Sequence, residues 1–384
     1  MERPEEDLIA VLKAAGVDFT ASLPCEKIKT LLERVAETFF HIPLTREEEG
    51  VGISAGAALA GKRPALFVQS SGIGNMINAL LSLTGFYELP LALFVSHRGI
   101  YKEKIAAQLP MGQRLPVILR SAGIPYSLIS TQEDFSLIEE KLPLAYSENM
   151  IHAFLLNPAL WERSEIRIQD SGCRIQDKKK KRLAQRLCAA HRVSPPVFAR
   201  YEILETVAPY LENKAVVCNL GIPAKELFQI KHQTSNFYML GSMGMATPIG
   251  LGIAISSKRE VVVIDGDGSL LMNSGTLATA AHCSPGNLTI LAIDNSAYGS
   301  TGDQPTLTGS CVDLEIIARG FGIRNTLKTS GKKQIMLPMK QPRKELTFIH
   351  ALALPGNRDV PNIPIHHLEN KKQVMEFLKR QVQR

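Results

Sequence analysis

The chain has 384 residues, of which 45% are hydrophobic and 21% are charged. This composition excludes a disordered chain or a coiled coil, and the length suggests two or three domains. The 44 Lys and Arg exceed the 37 Asp and Glu, giving a formal charge of +7 and raising the alternative of a nucleic-acid-binding protein. We expect no nucleic-acid partner, because aromatic residues make up 6% of the chain and no zinc-finger or RNP-like pattern is visible.

The first residues, MERPEEDLIAVLK, are acidic and then amphipathic, without the basic and apolar segments of a signal peptide. No run of 18 apolar residues occurs, because residues such as Lys62 and Glu88 interrupt each candidate. We therefore expect a cytoplasmic protein that does not span a membrane.

Residues 1–161 have the pattern of a first α/β domain. Residues 5–15 carry a helical apolar stripe, and the small residues of 52–60 predict a tightly packed helix. The apolar runs 64–69 and 90–96 are typical of buried parallel strands, and residues 76–83 between them are helical. This alternation predicts a parallel sheet covered by helices.

A basic segment, residues 162–196, separates the two halves of the sequence. Residues 162–192 contain ten Lys or Arg and four Asp or Glu, a net charge of +6, and SPP follows at 194–196. We interpret this segment as an exposed linker. Most of the excess positive charge therefore belongs to the linker.

Residues 197–384 predict a second α/β domain of similar style. Strands are expected at 214–221, 261–269, 287–295 and 346–354, and helices at 197–211 and 369–381, with a glycine-rich loop leading into a helix over 241–256. Residues 325–345 are basic and show no periodic pattern, so we expect a long surface loop there.

The sharpest motif is GDG at 266–268, followed about 26 residues later by Asn295 at the end of the next strand. Parallel strands end at one sheet edge, so Asp267 and Asn295 are predicted to converge on a hard cation such as Mg²⁺. Gly266 and Gly268 let the backbone approach a diphosphate, and Ser269 begins a helix that could donate N–H groups to it. The alternative is a pair of ordinary turns.

This spacing resembles the signature of thiamine-diphosphate enzymes. The resemblance implies that Gly241, Ser242 and Met243 contact the cofactor, with Met243 propping it into a bent shape, although Met243 on its own would be interpreted as a core residue. It also implies that Ala297 joins Asp267 and Asn295 as a ligand of Mg²⁺.

In the same family a glutamate activates the cofactor by a hydrogen bond to its pyrimidine ring. That glutamate lies nine residues before a glycine in a helix of small residues. Glu47 has this spacing from Gly56. Its neighbours Glu48 and Glu49 are rivals, and the alternative for the whole run is an acidic surface cluster.

Most of the chain resembles the sulfopyruvate decarboxylase family, in the form where two subunit types are fused. The absence of room for a third domain argues against an acetolactate-type carboligase, and phosphonopyruvate decarboxylase remains the closest alternative. The matching segments are TREEEGVGISAGAALAGK (45–62), QSSGIGN (69–75), SHRG (96–99), GSMGMATPIGLGIA (241–254), GDGSLLMNSGTLATAA (266–281), DNSAYGSTGDQPT (294–306) and PGNRDVPNIP (355–364).

The resemblance implies non-oxidative decarboxylation of 3-sulfopyruvate to 2-sulfoacetaldehyde, a step of coenzyme M biosynthesis. A dianionic 2-oxoacid needs cationic partners. His97 and Arg98, after the strand 90–96, are candidates for substrate recognition or proton transfer, although His97 could instead make a structural hydrogen bond. Lys102 and Lys104 fit a solvated loop better.

The resemblance also implies a homo-oligomer whose sites lie at subunit interfaces, since Glu47 and the Mg²⁺ ligands belong to different domains. The alternative, in which both domains of one chain share a site, is left open by the sequence.

Overall fold

In the computed structural model, residues 4–161, 193–340 and 344–380 are described, and they form two parallel sheets covered by helices. The predicted α/β class is therefore confirmed. The predicted linker falls mainly on residues 162–192, which lie outside the described residues, so the domain boundaries stay predictions. Within the described ranges, no helix combines the length and the apolar character that a membrane span requires.

The first sheet has six strands in the order β2-β1-β3-β4-β6-β5, and each neighbouring pair is parallel. Its central strands β3 and β4 are buried apolar runs, which explains why they were visible in the sequence. The strands are β1 (Phe19–Ser22), β2 (His41–Pro43), β3 (Pro64–Gln69), β4 (Leu91–Ser96), β5 (Tyr126–Ile129) and β6 (Ile151–Leu156). The helices are α1 (Pro4–Ala14), α2 (Lys29–Thr38), α3 (Glu47–Leu59), α4 (Ser70–Ala79), α5 (Leu109–Ser121) and α6 (Phe135–Ser147).

The second sheet has the order β13-β14-β10-β9-β7-β8, again with parallel neighbours. A short antiparallel hairpin, β11-β12, follows β10. The strands are β7 (Ala215–Cys218), β8 (Asn236–Tyr238), β9 (Val261–Gly266), β10 (Leu288–Asp294), β11 (Ala297–Tyr298), β12 (Gln304–Pro305), β13 (Asn325–Thr329) and β14 (Thr347–Leu352). The helices are α7 (Arg200–Val207), α8 (Ile222–Lys231), α9 (Ala246–Ser256), α10 (Asp267–Met272), α11 (Thr276–Cys283), α12 (Leu314–Gly320), α13 (Lys332–Lys340) and α14 (His367–Lys379).

The two sheets share one topology. Read from its other edge, the second sheet runs β8-β7-β9-β10-β14-β13, which matches the order of the first sheet strand for strand once the hairpin is set aside. Helix α3 follows β2 just as α9 follows β8, so these two helices hold equivalent places.

Helices α3 and α9 pack directly on each other and join the two halves of the chain. A Cβ atom on Gly56 would overlap the carbonyl oxygen of Ile249, and one on Gly252 would overlap the carbonyl oxygen of Ile53. Glycine is needed at both positions because backbone meets backbone there. One continuous buried apolar cluster extends across this contact into both sheets.

The expectation of a long surface loop over 325–345 is wrong. Residues 325–329 form β13, an edge strand paired with β14, and residues 332–340 form α13. The strand is half-buried and polar, so it lacks the apolar run that marks central strands, and Pro338 interrupts the helical pattern. Residues 341–343 lie outside the described part.

Candidate active site

A cleft of about 120 Å³ opens at the carboxyl edge of the second sheet. Strand β9 ends at Gly266, Asp267 begins α10, and Asn295 directly follows β10. Seven of the residues proposed from the sequence line this one cleft: Met243, Gly266, Asp267, Gly268, Ser269, Asn295 and Ala297. The geometry therefore brings the expected cation ligands and diphosphate contacts together, at the point where the strand order reverses.

The donors in the cleft suit a magnesium diphosphate. Asp267 contributes a carboxylate, Asn295 an amide oxygen and Ala297 a backbone carbonyl, which are hard oxygen ligands. The amide nitrogen of Asn295 is buried and has no hydrogen-bond partner in the described part of the chain, and such a donor suits a phosphate oxygen. At Gly268 a side chain would collide with the ring of Tyr298. Among the described residues, no group of three or more His, Cys, Asp or Glu side chains could hold a metal ion. The expected cation ligands include a single carboxylate, that of Asp267, so they would not form such a group.

Asp267 is surrounded by hydroxyl groups and by a second carboxylate. The hydroxyl of Thr306 donates a hydrogen bond to Oδ2 of Asp267, and the hydroxyl of Thr308 lies 3.1 Å from the same oxygen. Burial raises the pKa of Asp267, and the nearby charge of Asp294 raises it further, while the hydroxyl of Thr306 acts against both. A cation in the cleft would favour the ionised carboxylate that it needs as a ligand.

The loop before α9 is tied to both halves of the chain. Ser242 has a positive φ of 56°, and its Oγ lies 2.6 Å from the Oγ of Ser82 in the first half. The backbone N–H of Gly244 donates to Oγ of Ser269, 3.1 Å away. Gly241 lies against the carbonyl of Ser82. The loop therefore links the diphosphate motif to the first half of the chain, and Met243 lies in the cleft, partly exposed.

The three consecutive glutamates have three different environments. Glu47, the first residue of α3, is 5% exposed, and its Oε2 accepts a 3.0 Å hydrogen bond from the amide of Asn75. Glu48 is half-buried beside Arg46, and burial raises its pKa. Glu49 is fully buried, and its carboxylate accepts hydrogen bonds from Thr45 and, across the domain contact, from Thr279.

These environments give the glutamates different tasks. Acidic residues in the first turn favour the start of α3, because they face the positive end of the helix dipole. Glu49 is fully engaged in holding the two halves together, and Glu48 is paired at the surface. Glu47 is buried but has one carboxylate oxygen, Oε1, for which no hydrogen-bond donor is seen in the described residues, so it matches the proton-handling role best.

Helix packing places Glu47 and the glycine-rich loop at the same end of one contact. Gly52, near the start of α3, lies against Met245 and Pro248 near the start of α9. Glu47 and Met243 precede these contact points by five residues or fewer in their own segments. The two segments therefore lie at the same end of one helix contact within a single chain, which is compatible with the alternative that the sequence left open.

His97 and Arg98 both engage partners inside the first half. The Nε2 atom of His97 lies 2.8 Å from the carbonyl oxygen of Gly112, and burial lowers the pKa of His97, so the ring is neutral at pH 7. Arg98 forms a two-pronged ion pair with Glu103, with distances of 2.6 and 2.7 Å. This hydrogen bonding raises the pKa of Arg98 and lowers that of Glu103 to about 2.

Several residues of the site were missed in the sequence. Asn75 lies within the matched segment QSSGIGN but had no role assigned. Arg200 lines the cleft and pairs with Glu226 at 2.7 Å, which brings a buried cation to the diphosphate region. Thr306 and Thr308 lie 39 and 41 residues after Asp267, so no local pattern connects them with it.

Comparison with known proteins identifies the family. Residues 3–131 match the thiamine pyrophosphate enzyme N-terminal TPP binding domain, and residues 219–350 match the C-terminal TPP binding domain. A sulfopyruvate decarboxylase from Methanosarcina acetivorans is 44% identical over 381 residues, which cover 98% of this chain and 97% of that protein. The chain belongs to the sulfopyruvate decarboxylase family.

Other relatives carry the two halves as separate chains. In Methanococcus maripaludis, the subunit beta of a sulfopyruvate decarboxylase is 43% identical to 47% of this chain, and its subunit alpha is 43% identical to 41% of this chain. Each comparison covers nearly all of the subunit, 98% and 97%. The fused form expected from the sequence is therefore confirmed.

A relative of lower identity and a solved structure also match this chain. A phosphonopyruvate decarboxylase from Streptomyces viridochromogenes is 34% identical over 83% of this chain and 80% of its own length. The crystal structure of a benzoylformate decarboxylase from Polynucleobacter necessarius superimposes with a TM-score of 0.71 at 12% identity, covering 94% of this chain and 100% of that one. At that identity the superposition shows the shared fold.

Proposed function

We propose that the protein decarboxylates 3-sulfopyruvate to 2-sulfoacetaldehyde and CO₂, with thiamine diphosphate and Mg²⁺, as a step of coenzyme M biosynthesis. The observation that carries the proposal is the buried Glu47, oriented by Asn75, at the same end of the α3–α9 contact as the loop that enters the diphosphate cleft. Whole-length similarity to a sulfopyruvate decarboxylase supports this choice of substrate.

Asp267, Asn295 and Ala297 are proposed to hold Mg²⁺, while Gly266, Gly268 and Ser269 contact the diphosphate and Gly241, Ser242 and Met243 position the rest of the cofactor. When bound, thiamine diphosphate would supply a nucleophilic carbon and accept the electron pair that is left behind when CO₂ departs. Glu47 holds and returns a proton at Oε1, because Oε2 is occupied by the amide of Asn75. Burial of Glu47 keeps water from competing for that proton.

His97 and Arg98 are proposed to act in proton transfer and substrate recognition. A neutral His97 at a strand end can accept or donate a proton, and Arg98 can attract the substrate dianion. The positive charge of Arg98 is balanced by the negative charge of Glu103. Any attraction of the substrate must therefore come from the dipole of this ion pair rather than from an unpaired cation. Replacement of Arg98 by Lys should therefore change KM for the dianion more than kcat.

A substrate panel tests the proposed function. Purified protein is supplied with thiamine diphosphate and Mg²⁺, and the formation of CO₂ and aldehyde is followed with 3-sulfopyruvate, phosphonopyruvate and pyruvate. The expected result is the highest kcat/KM for 3-sulfopyruvate and no turnover when cofactor or cation is omitted. Higher kcat/KM for phosphonopyruvate would replace the proposal by the second candidate, which the 34% identical relative supports.

We also propose that the chain forms a homo-oligomer in the cytoplasm, where its small water-soluble substrate would be found. Relatives that carry the two halves as separate alpha and beta subunits support a proposal of association between chains. Light scattering coupled to size-exclusion chromatography gives the number of chains directly, and a mass of one chain, 42.2 kDa, would contradict the proposal.

A further inference from the structure

A loop beyond β12 closes over the carboxylate of Asp267. Thr306 is buried, and its hydroxyl donates to Oδ2 of Asp267. The hydroxyls of Thr306 and Thr308 lie 2.8 Å apart, and that of Thr308 also lies 2.8 Å from Oδ1 of Asp294. Each hydroxyl carries one proton, so the pair can serve both carboxylates at once, and both contacts on Asp267 fall on the same oxygen.

The second carboxylate, that of Asp294, has its own contacts at the end of the sheet. Asp294 is the last residue of β10, and its Oδ2 lies 2.8 Å from Nε2 of the buried His350 on the neighbouring strand β14. Oδ1 of Asp294 also accepts from the backbone N–H of Ser296 at 3.0 Å. Thr308 is therefore anchored to a rigid strand end rather than to a mobile surface group.

A second acid lies on the other side of His350 without forming a hydrogen bond to it. Its Nδ1 atom lies 3.5 Å from Oδ1 of Asp313, the N-cap of α12, and Oδ2 of Asp313 pairs with Lys328 at 2.5 Å. Side-chain contacts of 3.1 Å or less connect His350, Asp294, Thr308 and Asp267, which are contributed by the strands β14 and β10, the loop after β12 and the helix α10. A row that spans so many elements defines the position of its last member closely.

We propose that Thr306 and Thr308, anchored through Asp294 and His350, are positioning residues that orient the carboxylate of Asp267 toward the cation. Their hydroxyls touch Oδ2, which limits rotation of the carboxylate and leaves its direction set before a cation arrives. Groups that orient a metal ligand raise affinity because less freedom is lost on binding. The inference rests on the proposed cation site but not on the identity of the substrate.

The test measures cation affinity without substrate. Mg²⁺ is titrated calorimetrically into protein that has been stripped of divalent cations and then supplied with excess thiamine diphosphate. Thr306→Val and Thr308→Val each remove one hydroxyl while keeping the shape of the side chain, and we expect the Kd for Mg²⁺ to rise by about tenfold in each. Thr306→Ser and Thr308→Ser retain the hydroxyl and should bind Mg²⁺ within about threefold of the wild type.

Ser310→Ala provides the matched control. Ser310 lies on the same loop, but its hydroxyl donates to the backbone carbonyl of Leu307 at 3.2 Å. Within the described part of the chain it forms no hydrogen bond with either carboxylate, so its loss should leave Mg²⁺ affinity unchanged. Circular dichroism checks that each variant is folded, and the two Val variants are tested separately so that a folding defect in one leaves the other informative.

Wild-type Mg²⁺ affinity in the folded Val variants would overturn the inference. So would Ser variants that bind as weakly as the Val variants, because the methyl group rather than the hydroxyl would then matter. Failure of the proposed function looks different: the wild type would bind Mg²⁺ and thiamine diphosphate but would not decarboxylate 3-sulfopyruvate, and the comparison of Kd values would still stand.

Discussion

The two sheets have the same strand order, yet their carboxyl edges have opposite character. At the first edge the polar groups after β4 are paired internally, since Arg98 binds Glu103 and His97 lies against Gly112. At the second edge a cleft opens, and the buried amide nitrogen of Asn295 has no partner in the described part of the chain. The shared topology thus determines where a site can lie, whereas the loop side chains decide which edge is prepared for a ligand.

The largest expected effect comes from Glu47, the proposed proton-transfer residue of the first half. Glu47→Gln keeps the shape of the side chain and the hydrogen bond from Asn75, but an amide cannot take up and release a proton as a carboxyl group does. We therefore expect kcat to fall by about 10²–10⁴ or more. Affinity for Mg²⁺ should stay within about threefold, because the proposed ligands of the cation belong to the second edge. Steady-state kinetics and calorimetric titration measure both quantities.

Glu48→Gln is the control for that variant, since Glu48 is half-buried and paired with Arg46. It should retain kcat within about threefold, as surface ion pairs contribute little. A larger loss in Glu48→Gln than in Glu47→Gln would reverse the assignment and show that the activating carboxylate had been misplaced by one residue.

Asp267→Ala addresses the second edge. Removal of the charged ligand should lower Mg²⁺ affinity by at least about 100-fold and weaken cofactor binding with it, because the diphosphate is held through the cation. Excess Mg²⁺ should restore part of the activity, in contrast to Glu47→Gln, which no concentration of cation can restore. Unchanged cofactor affinity, measured by equilibrium dialysis, would contradict the cation assignment.

Combining the Glu47→Gln and Asp267→Ala variants tests whether each active site is built from one chain or from two. Glu47→Gln and Asp267→Ala chains are co-expressed with different affinity tags, and the mixed oligomer is isolated through both tags. Sites built within each chain, as the α3–α9 contact indicates, would all carry one defect, so the mixed oligomer should remain inactive. Activity near one quarter to one half of the wild type would instead show that the halves are exchanged between chains.

A smaller effect is expected from the packing of the halves. Gly252→Ala forces a methyl group against the carbonyl of Ile53, so the free energy of unfolding should fall by about 1–3 kcal/mol. Gly320→Ala is the matched control: no atom lies within 4 Å of its Cβ position at the end of α12, and stability should be unchanged or slightly higher. Denaturant titration measures both variants, and equal stabilities would contradict the close backbone contact.

Local patterns were sufficient for much of the fold. The apolar runs of β3, β4, β9 and β10 mark central parallel strands, and the small residues of α3 and α9 mark the helices that pack closely. Short or polar strands escaped the sequence analysis. Strand β13 resembles a loop in its sequence because half-buried edge strands do not require apolar side chains on both faces.

The same distinction between local patterns and long-range contacts applies to the residues of the site. Asp267 and Asn295 were predicted because each follows a recognisable strand, and Glu47 because its spacing from Gly56 matches that of the family that the chain resembles. The partners of these residues could not be predicted in the same way. Asn75 reaches Glu47 across 28 residues and His350 reaches Asp294 across 56, so their pairing depends on the sheet that forms between them.

The backbone contact of α3 with α9 bears on how such a chain can arise. Two separate chains that formed this contact would have to meet in solution, and its occupancy would then depend on protein concentration. Covalent joining makes the encounter intramolecular, with effective concentrations that are on the order of millimolar for linked modules. A fused chain can therefore keep its halves together at dilutions that would separate two subunits, and it supplies them in equal numbers by translation alone.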